Sequence, residues 1–244
     1  MNPAPFRNNV ELTRVGLKPR RRLPGETAIA VTWNRLGGLL DRLCTVSGIA
    51  PATALAVWRV ECGSLAFIRG RPALRFEPHI FYNRWGKDHE QDFDRHFQFG
   101  GRNGVDGARW QNHVFRLKAE AEWQRFHGDQ SAEYRALKLA SALAGTEIAA
   151  QCASFGGPQI MGFNHDVIGY PTAEAMRQAF GRSERWQVCA FFDFCTAKDI
   201  IGALTARDWL GFARVYNGPG NAEAYAAKIA AAYDEAVRLL EHGA

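Results

Sequence analysis

The sequence predicts a mostly α protein with one small β element near residue 70. Three observations lead there. Apolar residues recur at helical spacing in several separated stretches, of which Trp33, Leu36, Leu40 and Leu43 form the first. Glycine, proline and serine clusters punctuate these stretches where helices should stop. The 244 residues are 47% apolar and 23% charged, the balance of a globular chain long enough to bury a sizeable core.

The elements follow in order. Residues 1–29 are rich in Pro, Arg and Asn without a clean period and read as a basic leader or linker, and residues 30–244 read as one domain. The first helix should end near Ser47-Gly48. Pro51 suits the first turn of a second helix, which carries Leu55, Val57, Trp58 and Val60 and can stop at Gly63. Phe67, Leu74 and Phe76 flank the turn signal Gly70-Arg71-Pro72, which fits a short β-hairpin or extended loop. Residues 84–113 are polar and glycine-rich, so a long irregular segment with short helices is expected. Helical spacing returns over residues 132 to about 150 with Tyr134, Leu137, Ala140 and Leu143, and Ser154-Phe155-Gly156-Gly157-Pro158 then breaks the chain. Thr172, Ser183 and Thr205 read as N-caps, and a last helix runs from about residue 222 to 240.

Charge is unevenly placed. Residues 1–22 hold six basic residues and one acid, whereas the remainder holds 24 of each sign. A basic leader can meet anionic cell-envelope polymers. A formally neutral body argues against nucleic acid as a partner. No window offers the run of apolar residues a membrane helix needs, so no stable membrane insertion is expected. No secretory signal is visible, and the five cysteines are odd in number without C-x-x-C spacing. Both features fit synthesis in the bacterial cytoplasm with free, mostly buried thiols. The seven histidines fall at no zinc-ligand spacing, so no metal and no organic cofactor is expected.

Two carboxylates stand out. Glu61 lies at the end of an apolar helix beside Trp58 and Val60. Burial and the negative end of the helix dipole both raise a carboxyl pKa, which suits a general acid. On an extended segment Glu77 shares a face with Arg75, so it can serve as base or charge stabiliser, or simply pair with arginine. His79 follows as a hydrogen-bonding candidate. Gln159 is a polar residue among apolar ones and needs partners. Tyr216 and Asn217 close a helix before Gly218-Pro219-Gly220, where Tyr216 can stack on a ligand or simply pack.

The order of these pieces resembles the lysozyme-like superfamily, and within it the phage-type N-acetylmuramidases of endolysins. The resemblance rests on four motifs spread over residues 35–240. They are Val60-Glu61-Cys62-Gly63, the run from Gly70 to Phe81 containing Phe76-Glu77-Pro78-His79, Gln159-Ile160-Met161-Gly162-Phe163-Asn164, and Tyr216-Asn217-Gly218-Pro219. It implies a lysozyme-like fold with the β-hairpin beside the catalytic helix. It also implies cleavage of the β-1,4 bond between N-acetylmuramic acid and N-acetylglucosamine in bacterial peptidoglycan. Glu61 falls on the catalytic general acid and Glu77 on a second carboxylate, with Asp88, Asp92 and Asp94 in reserve. Gln159, Tyr216, Asn217 and His79 fall on substrate-binding positions. Cys62 stands where a serine is usual, Phe155 where the family often has tryptophan, and Gly157-Pro158 where residues are bulkier. The implied biology is an endolysin made in the cytoplasm that acts on the wall after release. A lytic transglycosylase leaving 1,6-anhydromuramic acid ends, a non-catalytic wall-binding module and a nucleic-acid binder led by the basic arm are the competing readings.

Overall fold

The computed structural model describes residues 4–9, 12, 21, 27–62 and 66–242. In chain order they form α1 (Ala28–Ser47), α2 (Pro51–Cys62), β1 (Phe67–Ile68), β2 (Arg71–Pro72), β3 (Leu74–Phe76), α3 (Pro78–Arg84), α4 (Glu90–His96) and β4 (Phe97–Gln98). Then come β5 (Val114–Phe115), β6 (Gln124–Arg125), α5 (Gln130–Ala144), α6 (Thr146–Gln151), β7 (Ala153–Phe155) and β8 (Ile160–Met161). The chain ends with α7 (Ala173–Arg182), α8 (Glu184–Ala197), α9 (Ile201–Ala206), α10 (Trp209–Tyr216) and α11 (Ala222–His242). The fold is mostly α, as the periodicity predicts. It divides into two compact units, one of residues 1–66, 167–169 and 183–244, the other of residues 67–166 and 170–182.

The first unit is a helical bundle. Thr27 caps α1 by accepting from the N–H of Ala30, and Gly48 ends it with φ +73°, a left-handed turn that glycine adopts without steric cost. The predicted stripe of Trp33, Leu36, Leu40 and Leu43 is buried, and α2 and α11 pack on it. Trp58 in α2 is wholly buried and meets Phe191 of α8 edge-on at 5.8 Å. No single described helix is long and apolar enough to cross a membrane. The pair α1 and α2 passes that test only together, bent by 118°, and both bury most of their apolar residues in this core. The helix stop expected at Gly63 lies outside the described residues.

Part of the segment expected to be a solvated leader is packed into this unit. Phe6 and Leu12 are buried, and Phe6 meets Phe192 edge-on. The N–H groups of Phe6 and Arg7 both donate to the carboxylate of Asp193, at 2.9 and 3.0 Å. Burial pushes the Asp193 carboxyl up to about 7 against the pull of these two donors and Arg7. Arg21 donates to the carbonyls of Leu239 and Leu240 near the end of α11. Residues 14, 18, 20 and 22, which carry the rest of the leader's positive charge with Arg7 and Arg21, lie outside the described residues.

The second unit holds more β structure than the single element expected. A hairpin forms where one was expected but is shorter: β1 and β2 turn at Arg69-Gly70, with φ +52° and +76°, the two positive values a type I′ turn requires, so Arg71-Pro72, expected in the turn, are its second strand, and Leu74 and Phe76 lie outside it. β3 pairs with β7, and β7 with β8, in a second antiparallel sheet. A third joins β4, β5 and β6. The free edge of β3 is closed by side chains of α5. Gln130 Oε1 accepts from the Leu74 N–H at 2.8 Å, and Glu133 Oε2 accepts from the Phe76 N–H at 2.8 Å. A cluster of rings, Phe76, Phe81, Phe93, Phe97, Phe115 and Phe126, is fully buried between these pieces.

Two of the three predicted caps hold. Ser183 accepts from the Arg185 N–H and Thr172 from the Ala175 N–H. Thr205 is no cap: it lies inside α9 and donates to the Ile201 carbonyl. Asp208 caps α10 instead, its Oδ1 accepting from the Gly211 N–H at 2.8 Å. Gly145, with φ +86°, splits the helix expected over residues 132–150 into α5 and α6.

Candidate active site

Glu61 sits one residue before the end of α2, in its last turn at the negative end of the helix dipole. Oε2 accepts a 2.7 Å hydrogen bond from Asn217 Nδ2. Oε1 is closed off from solvent and has no hydrogen-bond partner among the described residues. Burial lifts the pKa of Glu61 from 4.5 to about 7, while Asn217 and the charge of Lys228 pull it down. The carboxyl is therefore about half protonated at neutral pH, the condition a general acid needs.

Asn217 reaches Glu61 because α10 ends beside it. Its own N–H closes α10 on the Ala213 carbonyl at 2.8 Å, and Gly218 then turns the chain with φ +83°. Tyr216, the last residue of α10, stacks on Phe212 at 5.5 Å and meets Phe191 edge-on at 5.2 Å. Burial pushes its phenol well above its ordinary value. The packing reading of Tyr216 is thus realised.

In the second unit, Glu77 ends β3 and opens α3. Its N–H donates to the Cys152 carbonyl at 2.9 Å. Oε1 accepts from Arg75 Nε at 2.7 Å, the arginine pairing foreseen from their shared face. Oε2 is buried without a hydrogen-bond partner, 3.5 Å from His79 Nδ1 and 3.6 Å from His113 Nδ1. His79 Nδ1 is likewise buried and unpartnered.

His113 is 3% exposed, and its role follows from its neighbours. Nε2 lies 2.8 Å from the Arg109 carbonyl, which can only accept, so Nε2 carries the proton. Burial lowers the His113 pKa to about 4, leaving Nδ1 as a lone pair. His127 Nε2, 2.6 Å away, donates to it. His127 Nδ1 in turn lies 2.8 Å from Glu133 Oε1. Burial also lowers the pKa of His79, against the pull of Glu77. The absence of ligand spacing along the sequence concealed this cluster.

Gln159 has φ +49° and uses its amide within the β7–β8 turn. Its Oε1 accepts from Ser154 Oγ at 2.8 Å, and its Nε2 donates to the Gly156 carbonyl at 2.7 Å. Its need for partners is met by its own turn. Of the reserve carboxylates, Asp92 pairs with Arg95 and Asp94 with Arg102, whereas Asp88 sits in a short 3-10 turn.

A family model of N-acetylmuramidases matches residues 50–237. The chain belongs to the N-acetylmuramidase family. Among solved structures it is similar to a Burkholderia AP3 phage endolysin, at 28% identity and a TM-score of 0.64. The alignment covers 82% of this chain and 70% of that one. No curated protein matches significantly. The fold is lysozyme-like, and the chain is a peptidoglycan-hydrolysing muramidase, a glycoside hydrolase of the lysozyme type. The muramidase match includes Glu61, Glu77, His79, Gln159, Tyr216 and Asn217, and it also includes His113, His127 and Glu133.

Proposed function

We propose that this muramidase cleaves the β-1,4 bond between N-acetylmuramic acid and N-acetylglucosamine, with Glu61 as the general acid. The observation that carries the reading is the buried Glu61 carboxyl, raised to about 7, with one oxygen held by Asn217 and the other uncommitted. Glu61 protonates the glycosidic oxygen as an oxocarbenium-like state develops on the muramic acid ring. Asn217 fixes the carboxyl's orientation, and Tyr216 holds the end of α10 that presents Asn217. Glu77 is the second carboxylate of the reading, anchored through Oε1 to Arg75. Similarity to a phage endolysin supports a role in lysis, and five buried free thiols fit synthesis in a reducing cytoplasm with release to the wall afterwards.

Mass spectrometry of soluble products from purified peptidoglycan tests the reading, with Glu61→Gln and Glu77→Gln variants beside the parent. Reducing N-acetylmuramic acid ends, lost with Glu61→Gln, are expected. Ends in 1,6-anhydromuramic acid would replace it with a lytic transglycosylase, in which Glu61 acts as acid and then base and no second carboxylate is required.

A further inference from the structure

We infer that Glu77, His79 and His113 form a binding site for a zinc-like divalent cation. The inference does not rest on the glycosidic reading, since the three side chains gather in the second unit independently of Glu61. One ligand atom from each residue lies within 4.8 Å of the other two, and Glu77 Oε2 faces Nδ1 of both His79 and His113. A tetrahedral zinc site with bonds of about 2.1 Å separates its ligand atoms by about 3.4 Å. The 3.5 and 3.6 Å distances from Glu77 Oε2 already match that edge.

Three further features point to a cation. Two of the three donor atoms, Glu77 Oε2 and His79 Nδ1, are buried without a hydrogen-bond partner, a costly arrangement that a cation between them relieves. His113 donates its far nitrogen to the Arg109 carbonyl, which fixes the tautomer that aims Nδ1 at Glu77. Imidazole and carboxylate are the donor set of zinc and its first-row neighbours, not of calcium or magnesium. The cation would take the His113 lone pair that His127 now uses. His127, with Glu133 behind it, then turns aside or supplies a fourth ligand; otherwise water does. Glu77 would act as a ligand through Oε2 while Oε1 stays on Arg75, so with the cation bound Glu77 is not free to act as the second carboxylate.

The test uses tag-free full-length protein, dialysed against chelator and titrated with zinc chloride by calorimetry and with cobalt chloride by visible absorption. One equivalent of each per chain is expected, with tetrahedral cobalt bands and no thiolate charge-transfer band. His79→Gln should weaken binding at least tenfold. His113→Gln should do the same, with circular dichroism confirming the fold of each variant. No stoichiometric binding, a thiolate band from the cysteines, or undiminished binding in folded His79→Gln would overturn the inference. None of these readouts needs turnover, so a failed cation site and a failed muramidase reading are told apart.

Discussion

Replacing Glu61 by Gln should make the protein more stable at alkaline pH relative to the parent while abolishing its chemistry. Glu61 ionises near 4.5 in an unfolded chain and near 7 in the fold, so the folded state binds the proton more tightly. The cost of ionising it in place is absent below pH 4.5, grows between 4.5 and 7, and is constant above. At about 1.4 kcal/mol per pH unit, the full cost is about 3.4 kcal/mol. Between pH 5 and pH 8 it changes by about 2.5 kcal/mol. Glutamine cannot ionise, so the variant's stability relative to the parent should climb by that amount over this interval. Asp193 titrates in both proteins and cancels in the difference. The assay is urea unfolding of both proteins at the two pH values, followed by tryptophan fluorescence. Thermal midpoints should diverge by about 5–10 °C more at pH 8 than at pH 5. A stability difference that is the same at both pH values would show that burial does not hold this carboxyl protonated, and the case for Glu61 as acid would lose its physical basis.

Three other perturbations test separate parts of the molecule. Asn217→Ala removes a donor that favours the charged form of Glu61, worth about 1.5–3 kcal/mol. The alkaline limb of kcat/KM should therefore move up by about one pH unit or more, and a limb that stays put would remove Asn217 from the site. Gly162→Ala places a Cβ 2.0 Å from the Ala150 carbonyl oxygen, against backbone that cannot yield. Denaturant unfolding should show a loss of about 2 kcal/mol or more. Phe6→Ala should cost about 3 kcal/mol if the N-terminal segment is part of the core, and an unchanged midpoint would return that segment to the status of a solvated leader.

What the sequence revealed depended on how local the cause was. The stripe in α1 and the proline opening α2 are nearest-neighbour effects, and both helices lie where spacing and punctuation put them. Glu61 was legible for the same reason, since burial and helix end are both written within four residues of it. The sheet of β3, β7 and β8 was not, because strands of two or three residues carry no periodicity and Leu74 finds its partner at Phe155. The imidazole cluster was hidden in the same way. His113 precedes β5 and His127 follows β6, and only the antiparallel pairing of those strands sets the two rings side by side. Phe6 and Leu12 did leave a signal, as apolar residues in a basic stretch, but their partners, Asp193 for Phe6 and Arg185 for Leu12, are far along the chain.

The five cysteines have a practical consequence at the bench. Every one is buried and unpaired; burial pushes Cys44, Cys152 and Cys189 up to about 12 and holds Cys62 and Cys195 well above the ordinary thiol range. A thiol that neither meets solvent nor ionises is a poor nucleophile. The native set is thus silent towards maleimide and mild oxidants while the fold is intact. One added cysteine at an exposed position such as Gly220 becomes a single-site handle for dyes or surface attachment, with no need to strip out the natural five. Under gradual denaturation the same silence turns into a clock, since each core thiol reports by its labelling the moment its own part of the first or second unit opens.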